Sequence, residues 1–114
     1  MPSDTTAVDP RLQTRATELF GVRFPIVQTG MGWVATPELV AAVCNAGAFG
    51  FRAAATIPPE QVEAEMLEVK KRTDRPFGVN FLMDAPGADV IPDAIVRQGV
   101  RAAGYNRAPT AGLS

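Results

Sequence analysis

Short apolar runs alternate with helix-like segments along this chain, and that alternation limits the folds open to it more than any other feature. The runs FPIVQT (24–29), AFGF (48–51), FGVNFL (77–82) and VRAAGY (100–105) are each predicted as strands. Capped helical patterns separate them. Thr36-Pro37-Glu38 supplies a capping hydroxyl, a proline preset for the first turn, and an acid facing the positive end of the helix dipole. Leu39, Val40, Val43 and Ala46 follow at helical spacing, and Gly47 is the expected stop. Pro58-Pro59 opens a second helix with Val62, Met66 and Val69 as its buried stripe, and Asp74-Arg75-Pro76 breaks it. A third is expected around 89–98, stopped by Gly99. A lead helix is expected from Asp9-Pro10 to about Phe20, with Leu12, Ala16 and Leu19 on one face and Gly21 as its stop.

Strands and helices in this order predict a parallel sheet with right-handed crossovers. Strand starts recur roughly every 25 residues, close to the repeat of an eight-unit barrel of about 250 residues. The fold class expected is therefore α/β: a partial TIM (β/α)8 barrel of about the first four βα units, with parallel strands. Residues 1–10, MPSDTTAVDP, are expected to be a disordered leader and 11–114 the N-terminal half of the barrel. Such a piece has two open sheet edges, through which self-association is expected.

Composition excludes several classes. The net charge is −1 with no basic stripe, which argues against a nucleic-acid partner. No apolar stretch approaches the about 20 residues of a membrane span, and no secretory signal opens the chain, so a cytoplasmic location is expected. Cys44 is the single cysteine and forms no internal disulfide. The chain contains no histidine, which removes the commonest general base and His-based metal sites. No catalytic residue is identified within it.

The stretch QTGMGWVATP raises the functional question. Its glycines suit a tight βα turn that binds nothing, with Met31 and Trp33 plugging the sheet end. Gly30-Met31-Gly32-Trp33-Val34-Ala35 also matches the dinucleotide pattern G-x-G-x-x-A, with Arg52 about twenty residues on. In that fold, however, the motif itself opens the helix, whereas here Thr36 and Pro37 place the helix start after it. A third reading is a barrel loop that lets bare backbone approach a flat ring, with Met31 lying along it as a polarizable contact.

VQTGMGWVATPELVAAVCNAG, followed by TDRPFGVNFLM, resembles the N-terminal part of the nitronate monooxygenase (2-nitropropane dioxygenase-like) family. The likeness extends over roughly 11–107 and is shared with flavin-dependent enoyl-acyl-carrier-protein reductases and acyl-CoA-ester oxidoreductases of that superfamily. It implies an FMN-binding barrel in which the backbone at Thr29, Gly30 and Met31 packs against the flavin and Asn80 hydrogen-bonds it. It also implies a small-molecule substrate, either a nitronate oxidised with dioxygen or a CoA or carrier-protein thioester. The family's NAGGLG reads NAGAFG here, so Phe49 is expected in the core and near the pocket floor. The family's catalytic histidine and phosphate-binding loops belong to the second half of the barrel. The competing expectation is therefore a non-catalytic, truncated remnant.

The remaining candidates have a bland reading beside a functional one. Asn80 is a poor strand former in an apolar run, which calls for either a ligand or a loop-capping role. Cys44 is expected to be a buried thiol. The charges from Glu60 to Arg72 read as a solvated helix face. Arg52 and the run Tyr105-Asn106-Arg107 end strands, where they face either solvent or the pocket mouth.

Overall fold

The computed structural model describes residues 8–84 and 86–106. The expected leader as far as Ala7 and Arg107 of the run after the fourth strand lie outside the described residues. The element order is a 3-10 turn at Pro10–Leu12, α1 (Arg15–Phe20), β1 (Val27–Gln28), α2 (Pro37–Asn45), β2 (Phe49–Ala53), α3 (Pro59–Arg72), β3 (Gly78–Leu82), α4 (Val90–Arg97) and β4 (Ala102–Asn106). The strands form one sheet in sequential order, β1-β2-β3-β4, with every pair parallel. Among the described residues no helix is long and apolar enough to cross a membrane.

The helix starts follow from local chemistry. The Thr36 hydroxyl accepts from the Leu39 amide, and Pro37 occupies the first helical position of α2. Val62, Met66 and Val69 of α3 are almost fully buried. They meet Val40 and Cys44 of α2, Val79 and Phe81 of β3, and Ile91, Ala94 and Ile95 of α4 in one cluster. Each such large side chain contributes about 1.5–3 kcal/mol on burial.

The lead segment departs from expectation. It is a 3-10 turn and then a short helix, because a capping box at Thr14 and Thr17 starts the helix anew. The Thr14 amide donates to Thr17 Oγ1, and the Thr17 hydroxyl donates to the Thr14 carbonyl. The expected apolar face is not buried: Leu12 and Leu19 are 40% and 68% exposed, and Thr17 is buried instead. Gly21 ends α1 in the left-handed region, as expected. The first strand is also shorter than 24–29. Pro25 has no amide to pair, and the Ile26 amide donates to the Phe24 carbonyl, which closes a tight turn around that proline.

Alternation along the strands divides the sheet into two faces. A Cβ at Gly50 would meet Val40 of α2, so Gly50 and Arg52 point towards the helices. Phe49 and Phe51 point to the opposite, barrel-interior face, where a Cβ at Gly78 would strike the Phe51 ring at 2.5 Å. Gly78, Asn80 and Leu82 share this interior face. Phe20 of α1 closes its lower end by stacking on Phe49, with ring centroids 4.4 Å apart.

Candidate functional site

The interior face ends, at the C-terminal tips of the strands, in a ledge built around Asn80. Strand register places Asn80 beside Ala53 on one side and Gly104 on the other. The backbone of Gly30, leaving β1, lies directly against the Asn80 side chain: a Cβ at Gly30 would sit 2.6 Å from Asn80 Cβ and 2.7 Å from its Oδ1. On the other flank, a Cβ at Gly104 would sit 3.1 Å from Asn80 Nδ2 and 3.4 Å from Phe51 Cε1. The amide thus rests between two glycines, and the Phe51 ring reaches beneath it across Gly78. Asn80 is half-buried, and among the described residues no hydrogen bond engages its side chain. The group keeps one donor end and one acceptor end available at the strand tips.

The loop from Thr29 to Ala35 forms the rim. The Met31 carbonyl accepts from the Val34 and Ala35 amides at 3.1 and 2.8 Å, which folds Met31–Ala35 into a tight turn. Trp33 sits inside that turn at φ +67°, a conformation rare for a bulky side chain, and its indole is 81% exposed. The indole therefore leaves the ledge open rather than plugging it. Met31 is 40% exposed. Among the described residues the Gly30, Met31 and Gly32 amides donate to no carbonyl. A Cβ at Gly32 would lie 2.8 Å from Thr56 Cγ2, so this turn too depends on a missing side chain. Thr29, Gly30, Met31 and Asn80 accordingly lie together at one end of the sheet.

Other candidates fall elsewhere. Tyr105 pairs with Phe81 and faces the helices, its ring centroid 6.0 Å from that of Phe81, so it is turned away from the ledge. Phe49 is fully buried at the lower end of β2, and Phe51 instead lies beneath the ledge. Cys44 is buried in the helix layer, and that burial raises its thiol pKa. Arg52 faces neither solvent nor the pocket mouth. It is 6% exposed on the helix side, where it meets Glu65 and two backbone carbonyls. The sequence showed that Arg52 ends a strand, but its direction follows from the alternation fixed by Gly50.

A cleft of about 580 Å³ lies at the opposite end of the sheet, lined by Lys70, Thr73, Arg75, Gln98 and Arg101 among others. Its residues precede β3 and β4, at the end of a barrel that serves stability rather than chemistry. Arg101 there donates to the Leu19 and Glu18 carbonyls, and Lys70 to Gln98. This cleft ties α1 and the loops together.

The helix of the dinucleotide reading would have to begin within the glycine motif; α2 begins at Pro37, after it. The sequential strand order also lacks the reversal at which doubly wound folds bind dinucleotides. The fold comprises the first four βα units of a (β/α)8 barrel, with the ledge at the C-terminal ends of its strands. The sequence profile described as nitronate monooxygenase matches residues 13–108, and the chain belongs to that family. It is 48% identical over 99 residues to a (3aS,4S,5R,7aS)-5-hydroxy-7a-methyl-1-oxo-octahydro-1H-indene-4-carboxyl-CoA dehydrogenase of Mycobacterium tuberculosis, a match covering 87% of this chain and 28% of that protein. A probable nitronate monooxygenase of Staphylococcus saprophyticus is 36% identical over 98 residues, covering 86% of this chain and 27% of its own length. Among solved structures, FabK from Thermotoga maritima superposes with a TM-score of 0.79 at 32% identity, covering 84% of this chain and 31% of FabK. The chain thus spans less than a third of the length of these relatives.

Proposed function

We propose that this chain is the N-terminal segment of an FMN-dependent oxidoreductase in which the ledge holds the flavin. The observation that carries the reading is the unengaged Asn80 amide set between Gly30 and Gly104, at the end of the sheet where barrel enzymes act. A flat heterocycle needs bare backbone to lie against and a group that both donates and accepts at its edge; Gly30, Gly32 and Asn80 have those properties. The Thr29–Met31 backbone would support the ring, Met31 would cover it as a soft apolar contact, and Asn80 would fix its orientation. When bound, the flavin supplies the electron-transfer chemistry.

The substrate proposed is a small molecule, a nitronate, in keeping with the family. A second reading, a CoA thioester, is favoured by the 48% identity to a carboxyl-CoA dehydrogenase. A cytoplasmic site of action accords with a lone buried thiol and no disulfide.

The test uses a chimera in which residues 13–108 replace the matching segment of the Mycobacterium tuberculosis relative. The purified chimera is expected to be yellow and to retain FMN. Asn80→Ala should weaken FMN binding about tenfold, the scale of one hydrogen bond in a desolvated site. A colourless, folded chimera would overturn the flavin assignment. The 114-residue chain alone, titrated into FMN and followed by fluorescence quenching, is expected to bind no tighter than micromolar; tighter binding would show that the ledge needs no further barrel strands. Oxygen consumption with a nitronate, compared with flavin reduction by a CoA thioester, separates the two substrates.

A further inference from the structure

Among the described residues Arg52 is the one charged side chain that is buried, and its contacts converge on the glycine loop. Its Nη1 donates to the Ala35 carbonyl at 2.9 Å and to the Ala53 carbonyl at 2.5 Å. Its Nη2 lies 3.3 Å from Glu65 Oε1 of α3. The same Ala35 carbonyl accepts from the Ala53 amide at 3.3 Å, and the next amide, Ala54, donates to the Asn80 carbonyl at 2.8 Å. One guanidinium therefore grips the end of the 29–35 loop and the tip of β2 together, and the tip of β2 in turn holds the Asn80 backbone.

This arrangement is costly. Arg52 Nε is buried and, among the described residues, has no hydrogen-bond partner. A buried ion pair of this kind is commonly no more stabilising than apolar residues of similar volume. Nor do the contacts of Arg52 close a helix or extend the strand ladder. What they do is set the height of the loop at its Ala35 end, while Gly30 at the other end touches Asn80 with no room for a methyl group.

We propose that Arg52 is a positioning residue. Held by Glu65, it pins the Ala35 carbonyl to the tip of β2 and so sets the glycine loop at the height that the flavin ledge requires. The flavin half of this statement rests on the function proposed above; the loop-pinning half stands on this chain alone.

Native-state hydrogen exchange on the 114-residue chain tests the pinning directly. Arg52→Met should speed exchange of the Ala53, Ala35 and Thr36 amides by about tenfold, the scale of a lost hydrogen bond to a charged group. The Arg101 amide, bonded to the Phe77 carbonyl at the other end of the sheet, should keep its rate. Glu65→Gln, which keeps the arginine and its packing, should produce the same local pattern to a smaller degree and serves if the methionine variant does not fold. Arg52→Lys, which can still reach one carbonyl, should fall between wild type and methionine. Uniform acceleration of all amides would reduce Arg52 to a general stabiliser and overturn the proposal, as would unchanged rates at the loop. In the chimera, Arg52→Met should weaken FMN binding about tenfold with the loop signature intact. Loop loosening in a chimera that never binds FMN would refute the flavin assignment and leave the pinning standing.

Discussion

The contact between Gly30 and Asn80 permits a sharp experiment. In Gly30→Ala the new methyl group would lie 2.6 Å from Asn80 Cβ, about 0.8 Å short of ordinary van der Waals contact. Gly30 does not have a positive φ, so alanine suffers no backbone penalty and the whole effect is steric. The nearest atom is a Cβ fixed by the pairing of β3 with both neighbours, so no rotamer change of Asn80 relieves the clash; the loop must lift. Overpacking of this type costs about 1–3 kcal/mol. With a urea slope of about 1 kcal/mol/M, the unfolding midpoint followed by far-UV circular dichroism should fall by about 1–3 M. The second substitution makes the argument specific. Asn80→Ala keeps the offending Cβ, so adding Gly30→Ala to it should remain costly. Asn80→Gly removes that atom, so there Gly30→Ala should cost little, giving a coupling of about 1–3 kcal/mol. The reasoning is refuted if Gly30→Ala unfolds at the wild-type urea concentration, or if Asn80→Ala rescues it as fully as Asn80→Gly.

Three other outcomes are expected. Trp33 occupies φ +67° with its indole in solvent, so Trp33→Gly should raise stability by about 0.5–1 kcal/mol and Trp33→Val should lower it, read from thermal melts by circular dichroism; a loss on glycine substitution would mean that the indole packs on the fold. Burial pushes the Cys44 thiol pKa up, so dithionitrobenzoate at mildly alkaline pH should leave the native chain unlabelled and react fully in denaturant; prompt native labelling would contradict the packing. Glu63 accepts from Arg97 and Gln98, and the Arg97 bond above all lowers its pKa from 4.5 to about 2. Because the folded value lies below the unfolded one, the pair favours the folded state above about pH 4.5 and loses that contribution as pH falls towards 2. A carboxyl NMR titration should show the low midpoint, and Arg97→Gln should move it back up.

What the sequence disclosed was whatever local chemistry decides. Thr36-Pro37 starts a helix wherever it is placed, and the Val62, Met66 and Val69 stripe needs only helical geometry to find the core. The apolar stripe of the lead helix failed because paired threonine hydroxyls reset the helix start and buried Thr17. The first strand was overdrawn because Pro25 closes a turn instead of joining the ladder. Arg52 and Tyr105 were ambiguous because a strand residue's direction depends on alternation, which the sequence fixes only once one neighbour's face is known. A glycine whose partner is an asparagine two strands away leaves no local signal at all. Only the likeness of the QTGMGWVATP and FGVN segments to a family brought those residues into one site before the fold did.

The ledge draws on all the strands present. Gly30 follows β1, Phe51 comes from β2, Asn80 from β3 and Gly104 from β4. Its internal geometry is therefore complete within these units, fixed by register and by the absence of three methyl groups. Holding a ligand is a separate requirement. β1 and β4 remain edge strands, and Ile26 and Val27 beside the first edge are 59% and 42% exposed. A ring resting on this ledge has protein on one face only, and a half-open site cannot bury the large share of ligand surface that tight binding needs. If the ledge holds a flavin as proposed, these residues supply the shape it rests against, whereas tight binding requires apolar surface from further barrel strands. Substitutions on the ledge should therefore change cofactor binding in a completed barrel far more than they change the folding of this segment, Gly30→Ala excepted, because that methyl group disturbs both.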